Sequence, residues 1–265
     1  MTFASSVKRV AASCLAPFLA EAGPPRKESR ARLFASLAGV RGGSARARAR
    51  ARLLAKAQQP GKQFRNAPYY DIAEPDMAQL WHDLIWPRIH HLDFSCVLDL
   101  AAGHGRNSAR LREVSERIII VDINEENIEY CRARFRGDDA FTFLRNDGLS
   151  LAGVADATVS LVYSFDSMVH FDRDVVREYL KEIHRVLRPR GSGFIHHSNY
   201  VGDPTGEFTK APHWRNYMSR ELFANHCIEC GLEVVEQRVI DWGGFPGLDC
   251  LSILRRPARS SANAA

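Results

Sequence analysis

The sequence predicts an α/β chain built on a doubly wound, mostly parallel sheet. Three observations predict it. Apolar runs of strand length alternate with segments of helical periodicity between residues 96 and 256. The first run, Cys96–Ala101, enters a turn of small residues (Ala101, Ala102, Gly103, Gly105) that opens a helix. The second run, Arg117–Ile123, ends on a carboxylate, Asp122. Such alternation packs helices on both faces of the sheet and gathers the carboxyl ends of the strands along one edge.

The chain has 265 residues, 45% of them apolar, enough for one full-sized domain with a substantial core. Residues 1–60 stand apart as a basic extension. They hold twelve Lys/Arg and two acids, a charge of +10 against +5 for the whole chain, so residues 61–265 carry −5. Rich in Ala, Arg, Ser and Gly, this extension reads as poorly ordered, with a transit-peptide-like or anion-binding arm as the alternatives. Pro60-Gly61 is its expected break from the domain of residues 61–256, and residues 257–265 read as a disordered tail.

Within the domain, Tyr69–His91 shows the three- and four-residue spacing of a buried helix face at Met77, Leu80, Trp81, Leu84 and Ile85. Strands follow at Cys96–Ala101, Arg117–Ile123, Phe141–Arg145, Ala157–Phe165, Ser192–Asn199, Glu233–Trp242 and Leu248–Arg255. Helices fill the gaps: Ser108–Ser115, a helix capped by Asn124 and running to Phe135, Asp174–Leu187 stopped by the Pro189–Gly191 turn, and Ser219–Cys230 ended by Gly231. A glycine- and proline-rich loop, GGFPG, joins the last two strands.

The glycine turn and the acids after it describe a nucleoside site. Small residues let the backbone pass close beneath a ligand, and Asp122 can accept from both ribose hydroxyls. A second acid, Asp147, ends the third strand with Asn146 and Gly148 beside it, placed to read an adenine edge. Two features argue against a dinucleotide. Asp99 lies inside the first strand, where a pyrophosphate would be repelled and an ammonium group welcomed, and Ser108 stands where the dinucleotide fingerprint wants a third Gly or Ala.

With these motifs, Tyr69 to Arg256 resembles the class I S-adenosylmethionine (SAM)-dependent methyltransferases, although that family often has Gly where Ala101 stands. The resemblance implies a seven-stranded sheet in the order 3-2-1-4-5-7-6, its last strand antiparallel. It implies SAM as cofactor, held by Asp99, Ala101, Gly103, Gly105, Asp122, Ile123, Asn146, Asp147, Gly148 and Ser164. It also suggests that Tyr69, Tyr70 and Trp81 help to cover the cleft.

The acceptor chemistry is expected at the ends of strands four and five. Strand four exits into YSFDSMVHFD, without the Asn/Asp-Pro-Pro-aromatic turn of many base and amide N-methyltransferases. Asp166 and His170 match an acid and a histidine of small-molecule enzymes. Four residues apart, they can share a face, Asp166 orienting the acceptor and His170 serving as a base near neutrality. Strand five ends in GFIHHSNY, where alternation sends His196 and His197 to opposite sides. His197 is taken as a third catalytic candidate, with Asn199, Tyr200 and Trp214 as substrate-binding candidates. The long loop carrying Trp214 suits a sugar, or equally a phenolic ring.

No metal is expected: a hard cation needs a tight cluster of acids, and Cys227-Ile-Glu-Cys230 lacks a second pair. No apolar run is long enough for a membrane span. The scattered cysteines suit reduced thiols and a cytoplasmic setting. The sequence therefore reads as a methyltransferase of a small-molecule hydroxyl. A small-amine N-methyltransferase, an RNA methyltransferase using the basic arm and a SAM-binding module without catalysis are its rivals. Oligomeric state is not legible.

Overall fold

A computed structural model describes residues 44–65 and 67–258; the expectations for residues 1–43 and for the tail beyond 258 lie outside the described residues. The seven strands are β1 (Val97–Leu100), β2 (Ile118–Asp122), β3 (Phe141–Arg145), β4 (Val159–Ser164), β5 (Leu187–Ser198), β6 (Glu233–Trp242) and β7 (Phe245–Arg255). They form one sheet in the order β3-β2-β1-β4-β5-β7-β6, as expected. β1 through β5 pair in parallel, and β7 runs antiparallel between β5 and β6.

Both sheet faces are buried, and strand alternation assigns side chains to each. Val97, Ile118, Ile120, Leu161, Tyr163 and Phe194 pack on one side with Leu84, Ile85, Ile89 and Leu111. Leu98, Leu100, Val121, Val162 and Ile195 pack on the other. There they meet α7 (Arg173–Val186), whose buried Val175, Val176, Tyr179, Leu180, Ile183 and Val186 form one helical stripe. The remaining crossover helices are α5 (Arg106–Arg112), α6 (Glu125–Arg134) and α8 (Arg220–Glu229).

Several local expectations need correction. α1 (Ala45–Gln63) runs straight through Pro60, so residue 60 is no boundary. Pro60 removes one helical hydrogen bond, yet its carbonyl still receives the amide of Phe64 at 2.9 Å. The Tyr69–His91 segment is not one helix. It divides into α2 (Tyr69–Ala73), α3 (Met77–Leu80), a π-helical turn at Trp81–Ile85 and α4 (Trp86–Ile89), with Pro87 in the first turn of α4. The Pro189–Gly191 turn is instead a bulge inside β5. Pairing jumps from Val159↔Leu187 to Leu161↔Ser192, and Arg190 takes a positive φ of 66°. The GGFPG loop tightens to Gly243 and Gly244 at φ 58° and 86°, which joins β6 to β7 as a two-residue hairpin turn.

Candidate active site

The carboxyl ends of β1, β2, β3 and β4 open into one cleft of about 850 Å³, counted with its mouth. Its floor is the turn after β1. Ala101, Gly103 and Gly105 all take positive φ, 59°, 58° and 76°. A Cβ added at Gly103 would collide with the Tyr70 ring, and one at Gly105 would come within 2.8 Å of Phe135. The Asp122 carboxylate holds this turn in place. It accepts from the amide of Gly103 at 2.9 Å, the amide of Asn124 at 2.9 Å and the side chain of Asn127 at 3.1 Å. The amide of Ile123 is a further donor, so bonds within the protein already take up about four acceptor positions of this carboxylate. Burial pushes the Asp122 carboxyl upward against these bonds.

Asp99 is brought near this turn but not into the cleft. Its carboxyl accepts from Ser108 Oγ at 2.6 Å and so pins the first turns of α5 to β1. Burial drives its pKa up to about 7, with Ser108 pulling the other way. Ser164 is likewise a core residue, donating to the carbonyl of Leu100 at 3.0 Å.

At the other end Ile123, Asn146 and Gly148 line the cleft. Asp147 does not, which corrects its expected position. Its Oδ1 accepts from the amides of Leu149 at 2.9 Å and Ser150 at 2.7 Å, closing an Asx turn. Burial alone would raise its pKa, but these bonds outweigh it and hold the carboxyl low. Asn146 donates to Tyr179 Oη at 2.8 Å. The N-cap residue Asn124 also departs from expectation. Its side chain caps no amide of α6 and donates to the carbonyl of Gly61 at 2.9 Å.

That bond belongs to a roof the sequence did not announce. Ala57, Pro60, Gly61 and Phe64 from the basic segment lie over the cleft, continued by Tyr69 and Tyr70. The approach is close: a Cβ at Gly148 would stand 2.8 Å from Ile123 and 3.2 Å from Ala57. Ion pairs fasten α1 from outside, Lys56 to Asp172 at 3.0 Å and to Asp174 at 3.1 Å, with Arg65 to Glu126 just beyond its end. The expectation for Tyr69 and Tyr70 matches their place in the lining. Trp81 instead stacks on Trp86, ring centres 5.8 Å apart.

Phe165, Asp166, Ser167, His170 and Phe171 line the remaining side of the cleft. The Asp166 carboxylate accepts from Tyr69 Oη and from Arg106 Nη2, the latter at 2.7 Å. Burial would raise its pKa, but Arg106, Arg215, His196 and the Tyr69 hydroxyl hold it below the usual carboxylate range. His170 donates from Nδ1 to the carbonyl of Trp214 at 2.8 Å. That bond fixes the tautomer and leaves the lone pair on Nε2. Burial first, and Arg215 second, lower its pKa to about 4, so it is neutral at pH 7 rather than poised near it.

Four expected residues lie elsewhere. His197 points to the opposite sheet face, stacked 3.7 Å from Phe223 and bonded at Nε2 to Ser252 Oγ at 2.8 Å. Burial lowers its pKa to about 3. His196, on the other face of β5, lies fully buried behind the cleft residue Phe165, ring centres 4.7 Å apart. Asn199 donates to the carbonyl of Gly247 at 2.9 Å, and Tyr200 packs half-buried against the core. Trp214 is buried in a cluster with Phe64, Ala67, Tyr69 and Ala73, where it anchors its loop. Sequence reasoning missed Phe64, Arg106, His196, Arg215 and Asp249. Arg106 was the most findable, a lone guanidinium immediately after the glycine turn.

Residues 97–191 match a family model described as a methyltransferase domain. A demethylmenaquinone methyltransferase of Clavibacter sepedonicus is 33% identical over 115 residues, 43% of this chain and 45% of that protein. A Mycolicibacterium smegmatis protein described as a SAM-dependent methyltransferase is 26% identical over 183 residues, 69% of this chain and 64% of its own length. The chain thus spans less than two thirds of these relatives. Two crystal structures share the fold. The PH0226 protein of Pyrococcus horikoshii has a TM-score of 0.57 at 18% identity, covering 74% of this chain and 98% of that one. Geranyl diphosphate C-methyltransferase of Streptomyces coelicolor, solved with Mg2+, geranyl diphosphate and S-adenosylhomocysteine, has 0.54 at 14%, covering 69% and 83%. The strand order, and the match of residues 97–191 to a methyltransferase domain, make this chain similar to the class I methyltransferases that use S-adenosylmethionine.

Proposed function

We propose that the protein transfers a methyl group from SAM to a hydroxyl of a small-molecule acceptor. The cleft suits the cofactor because the turn after β1 and the strand-end residues Asp122, Ile123, Asn146 and Gly148 line one continuous space. Asp122 would accept from a ribose hydroxyl in place of one of its present donors. Ile123, Asn146 and Gly148 would hold the adenine, and Ala101 and Gly103 the methionine portion. The bound cofactor supplies a methyl group already activated by its sulfonium charge.

The chain's own work is alignment, water exclusion and removal of one proton. The roof of Ala57, Pro60, Gly61, Phe64, Tyr69 and Tyr70 keeps water out. His170 Nε2 accepts the acceptor's hydroxyl proton as the oxygen attacks and releases it afterward to solvent, a transfer its low basicity makes brief. Asp166, with Tyr69 on its carboxylate, orients the acceptor.

The observation that carries the small-molecule reading is the roof itself. It leaves a mouth suited to a compact acceptor rather than a strand of nucleic acid. Burial of Trp214 removes the expected sugar platform, so an acceptor with a flat apolar ring suits Phe64, Phe165 and Phe171 better. The same rings, with Asp166 among them, favour a small amine as the second reading. Free thiols at Cys96, Cys131, Cys227, Cys230 and Cys250 support a reducing compartment such as the cytoplasm, and no described helix is long and apolar enough to cross a membrane.

The test is incubation with methyl-labelled SAM and, in parallel, a metabolite extract, total RNA or a protein extract. Label is expected in the metabolite fraction, with product fragmentation placing it on oxygen. Label confined to RNA or protein would overturn the reading, and label on nitrogen would select the amine alternative.

A further inference from the structure

Three fully buried polar residues, His196, Arg215 and Asp249, have no part in the chemistry above. They come from β5, the 199–219 loop and β7. Arg215 grips Asp249 with two bonds, Nε to Oδ1 at 2.9 Å and Nη2 to Oδ2 at 2.6 Å. Asp249 Oδ2 accepts from His196 Nε2 at 2.9 Å, which makes that nitrogen the protonated one. His196 Nδ1 is then an acceptor, and it takes the backbone amide of Asp166 at 3.1 Å. Arg215 Nη2 stands 4.0 Å from Asp166 Oδ1, so the circuit closes on Asp166.

Asp166 holds a φ of 59°, a conformation that non-glycine residues keep only where their surroundings impose it. The circuit supplies that imposition. The same loop also sets His170, since Trp214 accepts from its Nδ1 and Asn216 Nδ2 donates to its carbonyl at 2.6 Å. The groups facing Asp166 are Tyr69 from α2, Arg106 from α5, His196 from β5, Arg215 from the loop and His170 from its own turn, with Asp249 behind Arg215. Two guanidiniums balance two carboxylates. Stability alone does not explain such an arrangement, because an apolar set of equal volume serves a core as well or better.

We propose that Arg215 is the positioning residue of the acceptor side: acting through Asp249 and His196 it fixes the backbone of Asp166, and it sets its own charge 4.0 Å from that carboxylate. This rests on the methyl transfer proposed above, but its test needs no acceptor. In the full chain, nitrogen-15 histidine spectra should show His196, assigned with His196→Gln, in the Nε2–H tautomer at pH 8. Carbon-13 carboxyl spectra should show Asp166, assigned with Asp166→Asn, titrating below the ordinary carboxylate range. That titration should rise by at least one pH unit in Arg215→Gln and by less than half as much in Arg215→Lys. With an acceptor in hand, Arg215→Lys should lower kcat tenfold or more while the SAM Kd stays within twofold. An Asp166 titration unmoved in Arg215→Gln overturns the inference. So does His196 in the other tautomer, a wild-type measurement that stands even if the variants fail to fold. Failure to find any methyl acceptor would overturn the proposed function alone.

Discussion

The two ends of the cleft are built by different means. The cofactor end comes from consecutive chain: β1, its glycine turn and β2 supply the cradle and the carboxylate that holds it, nineteen residues apart. The acceptor end is assembled from α2, α5, the turn after β4, β5, the 199–219 loop and β7, with partners up to 97 residues apart. The first end is made mostly of backbone geometry, the second of buried charge. A backbone cradle tolerates no added atom, whereas a charge network tolerates no lost partner.

The largest expected effect breaks the cradle. Gly103→Val adds a side chain where even a Cβ meets Tyr70, at a φ of 58°. SAM affinity should fall more than about 100-fold by titration calorimetry, the combined cost of strain and lost space. Binding within about fivefold of wild type would show that the cleft accommodates the cofactor differently.

Next come the two acids that the sequence presents as equals. Asp122→Asn should weaken SAM about 10- to 100-fold, as expected for charge-assisted hydrogen bonds worth ~1.5–3 kcal/mol. Asp147→Asn should change it by less than about threefold, because its Oδ1 closes an Asx turn outside the cleft. Equal losses would mean that Asp147 turns inward when the cofactor binds.

A pH series sharpens the acceptor end. His170 and His197 have folded pKa values of about 4 and about 3 against an ordinary 6.5. The unfolded chain therefore binds more protons below pH 6.5, and stability falls as pH drops from there toward 4. Asp99, raised to about 7, opposes this because the folded state holds its proton more tightly over the same range. Two histidines outweigh one carboxylate, so Tm should decline between pH 6.5 and 4. A Tm that rises there would show the histidines to be better solvated than their burial indicates. For turnover, the acid limb set by His170 should lie near pH 4, not 6.5.

The smallest effect concerns the ion pairs that fasten the roof. Its outer ion pairs are exposed, each worth at most ~1 kcal/mol and screened by salt. Lys56→Gln, or a change from low to about 0.5 M salt, should raise the SAM Kd no more than about fivefold. Removing residues 1–43 should matter less still, whereas removing residues 1–63 also deletes Ala57, Pro60 and Gly61 from the lining and should weaken SAM at least tenfold. A truncation at residue 60 therefore cannot separate a nucleic-acid arm from a small-molecule enzyme.

Local chemistry determined a good deal. Alternating apolar runs carried the strands and the doubly wound class, because burial on both faces leaves that mark, while the strand order came from the family resemblance. The glycine turn and Asp122 were legible because positive φ and a strand-end carboxylate leave marks in neighbouring residues. Only tertiary structure decided that His196 and not His197 packs on Phe165 behind the cleft, since one residue of β5 register separates it from a ring stacked on Phe223. Only it turned Asp147 away into an Asx turn and buried Trp214 as an anchor. It alone folded a basic segment into a roof, because Ala57, Pro60 and Gly61 show no periodicity until Gly148 and Ile123 lie beneath them. Short-range geometry is written in adjacent residues, while the pairing of buried charges depends on which distant strands and loops meet.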